Sequence, residues 1–401
     1  MPPVAAAAKP ATSSLALVSR IVLGAIAFRV LSAVLAFIAN LVIPLDRPEQ
    51  FPSVFGSMRA FWDPFTRYDG GWYYQIARNG YHFVVGGAAV GLGKPGKIAY
   101  FPVYPLLMRY AGRLFGGSPA GLYFGGIVVS WVAFVLAMVL LLRLALLDVD
   151  DEQAERAVYL AAIFPFAFFY GVVYTEATFL LFVLAAFYSF RQRQWILGGV
   201  FGGLATATRV NGILILPALA WIAWRRAEPG TSDRLRASLA LALVACGVGA
   251  YSIYVYHLTG HPFEWAAAIK RWGYYPGGAP WLALVRLVSV LATHPIAYLA
   301  GERLAPYDTL NGLAGLVCVA SVPFVWWRLG AGYGLYMLAN LWLPLSSGQY
   351  EGVGRYCAVL FPFFILAAGI RWRAGFIAMI VISALLYTLC LALFTTIHPI
   401  F

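Results

Sequence analysis

Apolar runs about 20 residues long, separated by short polar breaks, cover most of the chain. The runs are continuous and lack a period-two alternation, so they predict membrane helices and not the strands of a barrel. The first run is 17–42 and the second is 122–147, closed by an acidic turn at 148–155. Four tightly spaced runs follow, at 157–169, 175–190, 195–207 and 213–224. Several of these are too short for a clean span, so they must tilt less or border a cavity. A basic break at 225–236 precedes a run at 237–256, and the last runs are 311–327, 333–345, 357–370 and 376–394. The 281–300 run carries Arg286, His294 and Pro295, which favours a helix lying at the interface over a span. The pattern predicts an all-α polytopic membrane protein of about eleven transmembrane helices, in the range ten to twelve.

Two stretches break the rhythm. Residues 44–118 form a long, less hydrophobic first loop with room for short interfacial amphipathic helices, and 257–308 form a second polar segment. Residues 1–16 are rich in Ala and Pro and read as a disordered cytoplasmic tail. No convincing cleavage signal follows the first run, so it reads as a retained span, and 17–401 as one transmembrane domain.

Composition agrees with this class. The chain is 62% hydrophobic and 11% charged, where a soluble domain is about half apolar and a quarter charged. Such a surface needs lipid as its solvent, with backbone groups paired inside helices. The net charge of +12 would suggest nucleic acid in a soluble protein. Here the arginines sit singly at the ends of apolar runs, which reads as membrane anchoring, with no nucleic-acid partner. Cys246, Cys318, Cys357 and Cys390 lie in apolar stretches without CxxC spacing and read as small buried residues.

The basic short loops set an orientation. Arg191, Arg193, Arg225, Arg226, Arg234, Arg236, Arg328, Arg371 and Arg373 share one side if 281–300 does not span, and that side is cytoplasmic. The 44–118 loop, the 257–308 segment and residues 346–356 then share the outer face. They carry many cations of their own, among them Arg47, Arg59, Lys94, Lys97 and Lys270, which suggests an anionic ligand outside.

The first loop is dense in Trp, Tyr and Phe, so it reads as functional and not disordered. Asp69 stands before Gly70 and Gly71, where the backbone can turn sharply and aim the carboxylate; residues 72–77 then read as a short surface helix. Asp69 can equally be the N-cap of that helix, and Asp63-Pro64 reads as a turn. Trp72 and Tyr73 suit both the headgroup region and a sugar face. Glu176 opens an apolar run on the outer face, where a carboxylate needs a partner or serves as an N-terminal cap. Arg209, with Asn211 beside it, falls between two short runs, and an Arg at membrane depth is either functional or snorkelling. Arg355-Tyr356 precedes another run, and His261, Glu264, Lys270, Arg271 and Trp272 lie on the second outer segment. No His, Cys or Asp pattern has zinc spacing; Asp63, Asp69 and Glu176 could gather a divalent ion, but no metal or other cofactor is required. Carboxylates, arginines and aromatics at a lipid boundary fit a substrate with a phosphate head, a transferable polar group and a lipid tail.

At these residues the chain resembles a known family. RYDGGWYYQIARNGY at 67–81, followed by AYFPVYPLL at 99–107, is similar to the first-loop signature of the PIG-V-like mannosyltransferases, relatives of the second mannosyltransferase of GPI-anchor synthesis. FPF at 164–166 with YTEA at 174–177, ATATRVNG at 205–212, and Arg355-Tyr356 with LFPFF at 360–364 are similar to later family blocks. Tyr68 stands where the family more often has Trp. The resemblance implies a membrane glycosyltransferase of the type-C fold that takes a hexose, mannose, from a polyprenyl-phosphate donor. It implies Asp69 as the general base of an inverting transfer, with Arg67, Arg209, Arg355 and Tyr356 toward the donor phosphate. Glu176, Trp72, Tyr73, Asn211, His261 and Glu264 then fall to substrate binding. The acceptor expected is a glycolipid or glycan, and the setting is a bacterial plasma membrane with the active site on its periplasmic or extracellular face. The competing reading is a transporter or flippase for a lipid-linked sugar, against which the absence of an internal repeat counts. A non-catalytic scaffold leaves Asp69, Glu176 and Arg209 unexplained.

Overall fold

The computed structural model describes residues 11–82, 96–230, 232–271, 278–299 and 306–400. Lys94, Trp272 and residues 1–10 of the expected tail lie outside them. The first helix, α1 (Ala11–Val42), is 32 residues long. The first loop is largely structured: turns at Pro48–Gln50 and Asp63–Thr66 lead to α2 (Gly70–Asn79) and α3 (Val103–Leu114). α4 (Pro119–Ala145) is capped by Ser118, whose hydroxyl accepts from Gly121 N at 3.1 Å, with Pro119 in its first turn. The acidic turn seen in the sequence is the start of α5 (Asp151–Ile163), where the Asp150 carboxylate accepts from Gln153 N at 2.8 Å.

The chain continues through α6 (Glu176–Arg191), α7 (Trp195–Thr206), α8 (Leu216–Arg226), α9 (Ser232–Thr259) and α10 (Glu264–Arg271). α11 (Trp281–Thr293) and α12 (Pro295–Leu299) divide at His294, the residue before a proline. α13 (Pro306–Leu329), α14 (Ala331–Leu345), α15 (Val353–Ala358), α16 (Phe361–Ala367) and α17 (Arg373–Thr395) complete the bundle. No strand occurs among the described residues.

Five helices, α1, α4, α9, α13 and α17, are long and apolar enough to cross a membrane. Their apolar stretches are 23 to 28 residues long, beyond the roughly 20 that a bilayer core demands at about 1.5 Å per residue. Their outward faces are apolar: Leu23, Val30 and Ile38 on α1 and Ile377, Ile382 and Leu385 on α17 are exposed. Water would not tolerate so continuous a belt, and the chain is an integral membrane protein.

The sequence pattern predicted about eleven spans, and five meet the criterion of length and composition. The other apolar runs form shorter helices, such as α6 with 16 residues and α7 with 12. Proline is the main cause. α5 stops at Ile163 because Phe164 precedes Pro165, and Pro217 and Pro362 restart the chain in the first turns of α8 and α16. α6 is enclosed between α4 and α7 and is buried along most of its length.

Between α5 and α6 the backbone of residues 164–175 is not α-helical, yet it is buried. Irregular backbone at that depth needs partners. Val172 O accepts from Ser130 Oγ at 2.8 Å, Gly171 O from Trp131 Nε1 at 3.0 Å, and Val173 N donates to Phe65 O at 3.0 Å. The aromatic core of Phe134, Phe166, Phe168, Phe169, Tyr170 and Tyr174 gathers around this segment. It carries Thr175 and Glu176 to one end of the bundle and fixes them there.

Candidate active site

Asp69 occupies the N-cap position of α2, but its side chain makes no cap hydrogen bond. Its backbone carbonyl accepts from Trp72 N at 2.9 Å, which leaves the carboxylate free to point elsewhere. Oδ1 accepts from the Tyr100 hydroxyl at 3.0 Å, and Oδ2 from Arg355 Nη1 at 3.1 Å. The Asp69 amide donates to the Tyr174 hydroxyl at 3.1 Å. The sharp turn expected at Gly70-Gly71 lies one residue earlier, at Tyr68, whose φ is +53°. A non-glycine residue in the left-handed region costs about 1–3 kcal/mol and is held only by its surroundings. Tyr68 is held by donation from its hydroxyl to His398 O at 2.8 Å and by packing on Phe51 and Phe394.

Glu176 is the first residue of α6 and is fully buried. Its Oε1 accepts from Arg355 Nε at 2.8 Å and from Arg209 Nη1, while its Oε2 has no protein partner. Arg209 Nη1 also donates to Thr175 Oγ1 at 3.0 Å, and Nε to Asn211 Oδ1 at 3.2 Å. Asn211 Nδ2 donates in turn to Asn340 Oδ1 of α14 at 3.0 Å. The Arg209 guanidinium lies 5.2 Å from the Tyr356 ring centre, and that of Arg355 lies 4.8 Å from Phe169 and 4.7 Å from Tyr174.

Two arginines and two carboxylates thus form one chain of contacts, Asp69–Arg355–Glu176–Arg209, with its charges balanced. Exposure is graded along it: the side chains of Glu176, Arg209, Arg355 and Asp69 are 0%, 11%, 13% and 22% exposed. Asp69 is the more exposed of the two carboxylates, and Glu176 is the buried one. Burial, and after it the Asp69 carboxylate, raises the Tyr100 hydroxyl well above an ordinary tyrosine, so Tyr100 acts as a donor to Asp69. Arg355 sits between Asp69 and Glu176, and among the described residues no three His, Cys, Asp or Glu side chains gather as a metal site would need.

The structure brings together Asp69, Glu176, Arg209, Asn211, Arg355 and Tyr356. Trp72 stacks on Tyr100 at 5.9 Å and so borders the cluster. Three expected site residues, Arg67, Glu264 and His261, stand apart, and Tyr73 lies against the cluster from the core side. Arg67 is only 1% exposed and is bound to Asp63 Oδ2 at 2.8 Å, where it braces the loop. Tyr73 is wedged among Tyr100, Tyr104 and Tyr174 in the core, near enough for Asp69, Glu176, Arg355 and Arg209 to act on its hydroxyl. Glu264 pairs with Arg271 on α10, and the exposed His261 holds only its own turn through backbone contacts with Thr259. Tyr100, Tyr174, Thr175 and Asn340 were not singled out by the sequence. The first three lie inside recognisable blocks but look structural there; an Asn within an apolar run, as at 340, was the one available signal.

A family model described as mannosyltransferase (PIG-V) matches residues 18–227. That stretch holds Asp69, Glu176 and Arg209, while Arg355 lies beyond it and joins them through the fold. No curated protein matches the chain. Among solved structures, the chain is similar to the oligosaccharyltransferase of Archaeoglobus fulgidus. With its complex with zinc and sulfate the identity is 14%, the TM-score 0.43 and the coverage 93% of this chain and 53% of that one. With its complex with an inhibitory peptide and a dolichol-phosphate the values are 14%, 0.42, 93% and 55%. The chain therefore spans about half the length of that enzyme.

Proposed function

The chain belongs to the PIG-V mannosyltransferase family, and from that premise we propose that it moves a mannosyl residue from a polyprenyl-phosphate donor to an acceptor hydroxyl, with Asp69 as general base. It is a membrane glycosyltransferase; the donor, the inverting course and the roles below are our reading. The observation that carries the reading is the position of the Asp69 carboxylate, turned away from capping α2 and held between Tyr100 and Arg355.

In the reaction, the acceptor oxygen forms a bond to the anomeric carbon as the bond from that carbon to the phosphate oxygen breaks. The proton passes from the acceptor hydroxyl to Asp69, and the electron pair leaves with the polyprenyl phosphate. A single base on the acceptor side gives inversion. The leaving group is already a good one and needs cations, not an acid. Arg355 and Arg209 are suited to this, since the shared Glu176 oxygen holds both guanidinium groups in register. Tyr100 orients the base. The reaction runs on the outer face of a bacterial plasma membrane, and the acceptor is a glycolipid or glycan.

The test uses purified protein in nanodiscs with radiolabelled polyprenyl-phosphate mannose. Asp69→Ala and Asp69→Asn are expected to lower transfer by about 10²–10⁴ while donor binding persists. Near-wild-type turnover by Asp69→Asn would overturn the assignment, and label crossing a proteoliposome without transfer would favour a flippase.

A further inference from the structure

A cavity of about 330 Å³ opens where α11, the start of α13 and the turn at 348–351 meet. It belongs to none of the groups described above. Arg286 comes from α11, Tyr307 and Asp308 from α13, and Gln349 and Glu351 from the turn. The fold is explained by other residues: Tyr350 closes the floor by donating to Ala283 O at 2.6 Å. The side chains of Arg286, Tyr307, Asp308, Gln349 and Glu351 make no hydrogen bond or ion pair with one another or with the rest of the described protein. Five polar groups therefore line one space, Arg286 and Gln349 from its exposed rim and Tyr307, Asp308 and Glu351 half-buried within it, and the charges of Arg286 and Glu351 both act on Asp308.

Two short backbone paths connect the cavity to Arg355, a member of the cluster around Asp69. Tyr307 and Asp308 are four and three residues before Asn311, so all three share one face of α13. Asn311 is fully buried, and its Oδ1 accepts from Gly354 N at 2.8 Å. The cavity thus sits about one helical turn, roughly 5 Å along α13, from the backbone that carries Arg355. From the other wall, Glu351 is four residues before Arg355 and so within about 14 Å at full extension. Turns that join Val353 N to Tyr350 O and Arg355 N to Gly352 O, each at 3.0 Å, shorten that reach. Gly352 makes the bend at φ +72°.

The mixture of groups selects a ligand class. Arg286 opposes a metal cation, and Asp308 with Glu351 opposes a phosphate. A neutral polyol satisfies both, because its hydroxyls donate to carboxylates and accept from guanidinium and amide groups. Tyr307 adds a ring face. The volume lies near the small end of the roughly 300–1,000 Å³ range of ligand sites, room for one or two sugar rings. We infer that this cavity is the subsite for the sugar head of the acceptor, which it presents toward Asp69. The inference rests on the proposed transfer reaction and adds to it the residues that receive the sugar of the acceptor.

The test places the full chain in nanodiscs with two photoreactive probes, octyl α-mannoside and octyl β-glucoside, each carrying a diazirine on the sugar. Mass spectrometry then locates the adduct. Labelling by either probe is expected on peptides containing residues 307–308 or 349–351, reduced about tenfold in Glu351→Gln and in Arg286→Ala. Thermal unfolding of both variants at the wild-type temperature confirms that they fold. In transfer to the unlabelled glycoside, both variants are expected to raise KM about tenfold with a smaller effect on kcat, whereas Asp69→Asn acts on kcat. No labelling, labelling elsewhere, or labelling unchanged by both variants overturns the subsite. Labelling of the cavity in a protein that never turns over the donor would instead overturn the transfer reaction, so the two failures are distinguishable.

Discussion

The Arg355 guanidinium donates to Asp69 at 3.1 Å with one nitrogen and to Glu176 at 2.8 Å with another, although Asp69 and Arg355 are 286 positions apart. One planar group therefore fixes the distance between a partly exposed carboxylate and a buried one. Lysine carries the charge but has no second donor in a rigid plane. Arg355→Lys and Arg355→Ala are both expected to lower kcat by about 10²–10³, the range found when one preorganised donor to developing charge is lost. Rapid-quench measurement of mannose transfer checks this; recovery of more than a tenth of the rate by Arg355→Lys would mean that charge alone suffices.

Glu176 bears on both arginines. Its Oε1 is their common acceptor, so a change there disturbs Arg209 and Arg355 together. Glu176→Ala leaves two buried cations short of a counter-charge and is expected to cost about 3–5 kcal/mol of stability. Glu176→Gln keeps one oxygen acceptor and the side-chain shape. It is expected to fold, to raise the donor KM about tenfold and to lower kcat by about 10²-fold, since the guanidinium groups lose their shared anchor. Donor titration against thermal unfolding in nanodiscs separates the two effects.

The class of fold was legible in the sequence because apolar runs state their solvent directly. The number of spans was not, because a run such as 157–169 looks the same whether it reaches lipid or ends early at Pro165 inside the bundle. Asp69, Glu176, Arg209 and Arg355 were legible as costly charges at a lipid boundary, although nothing local tells which carboxylate meets which arginine. The pairing of Arg67 was not legible, for a physical reason. It stands two residues before Asp69, and only the fold reveals that its guanidinium points back to Asp63. Arg29 went unnoticed within the first apolar run, yet it is buried, donates to the Tyr387 hydroxyl at 3.1 Å and lies over the Phe134 ring. The polar cavity could not be foreseen, since its walls come from three segments that are separated in the chain.

Tyr100 gives a test with a pH readout. Its hydroxyl is raised first by burial and then by the Asp69 carboxylate. A raised tyrosine keeps its proton through pH 10 and so remains a donor over the whole working range. Tyr100→Phe removes the hydrogen bond that aims Asp69 and is expected to lower kcat about tenfold with little change in donor KM. The alkaline side of the rate–pH profile up to pH 10 is expected to be the same in Tyr100→Phe and in the wild type, because Tyr100 does not titrate there. An alkaline loss of activity present in the wild type and absent in Tyr100→Phe would assign that loss to Tyr100 and contradict the raised hydroxyl.

Asp63 and Arg67 test whether the first loop is braced independently of the chemistry. The pair is 2.8 Å apart with exposures of 0% and 1%. Asp63 Oδ1 also accepts from Val54 N at 2.7 Å and Phe55 N at 3.1 Å, and Arg67 Nη2 donates to Met58 O at 3.2 Å. One ion pair thereby ties residues 54–67 into a single turn below Tyr68 and Asp69. Removing either partner strands a buried charge, so Arg67→Ala and Asp63→Ala are each expected to destabilise by about 3–5 kcal/mol. Asp63→Asn keeps an oxygen for the two amides and is expected to cost less than Asp63→Ala. Arg67→Met, which fills the volume without the guanidinium, leaves Asp63 unpaired and is expected to fall with the severe variants. Fluorescence-detected gel filtration after heating reads these differences. If Arg67→Met instead folds as well as the wild type but loses donor binding, Arg67 contacts substrate and the bracing role is wrong.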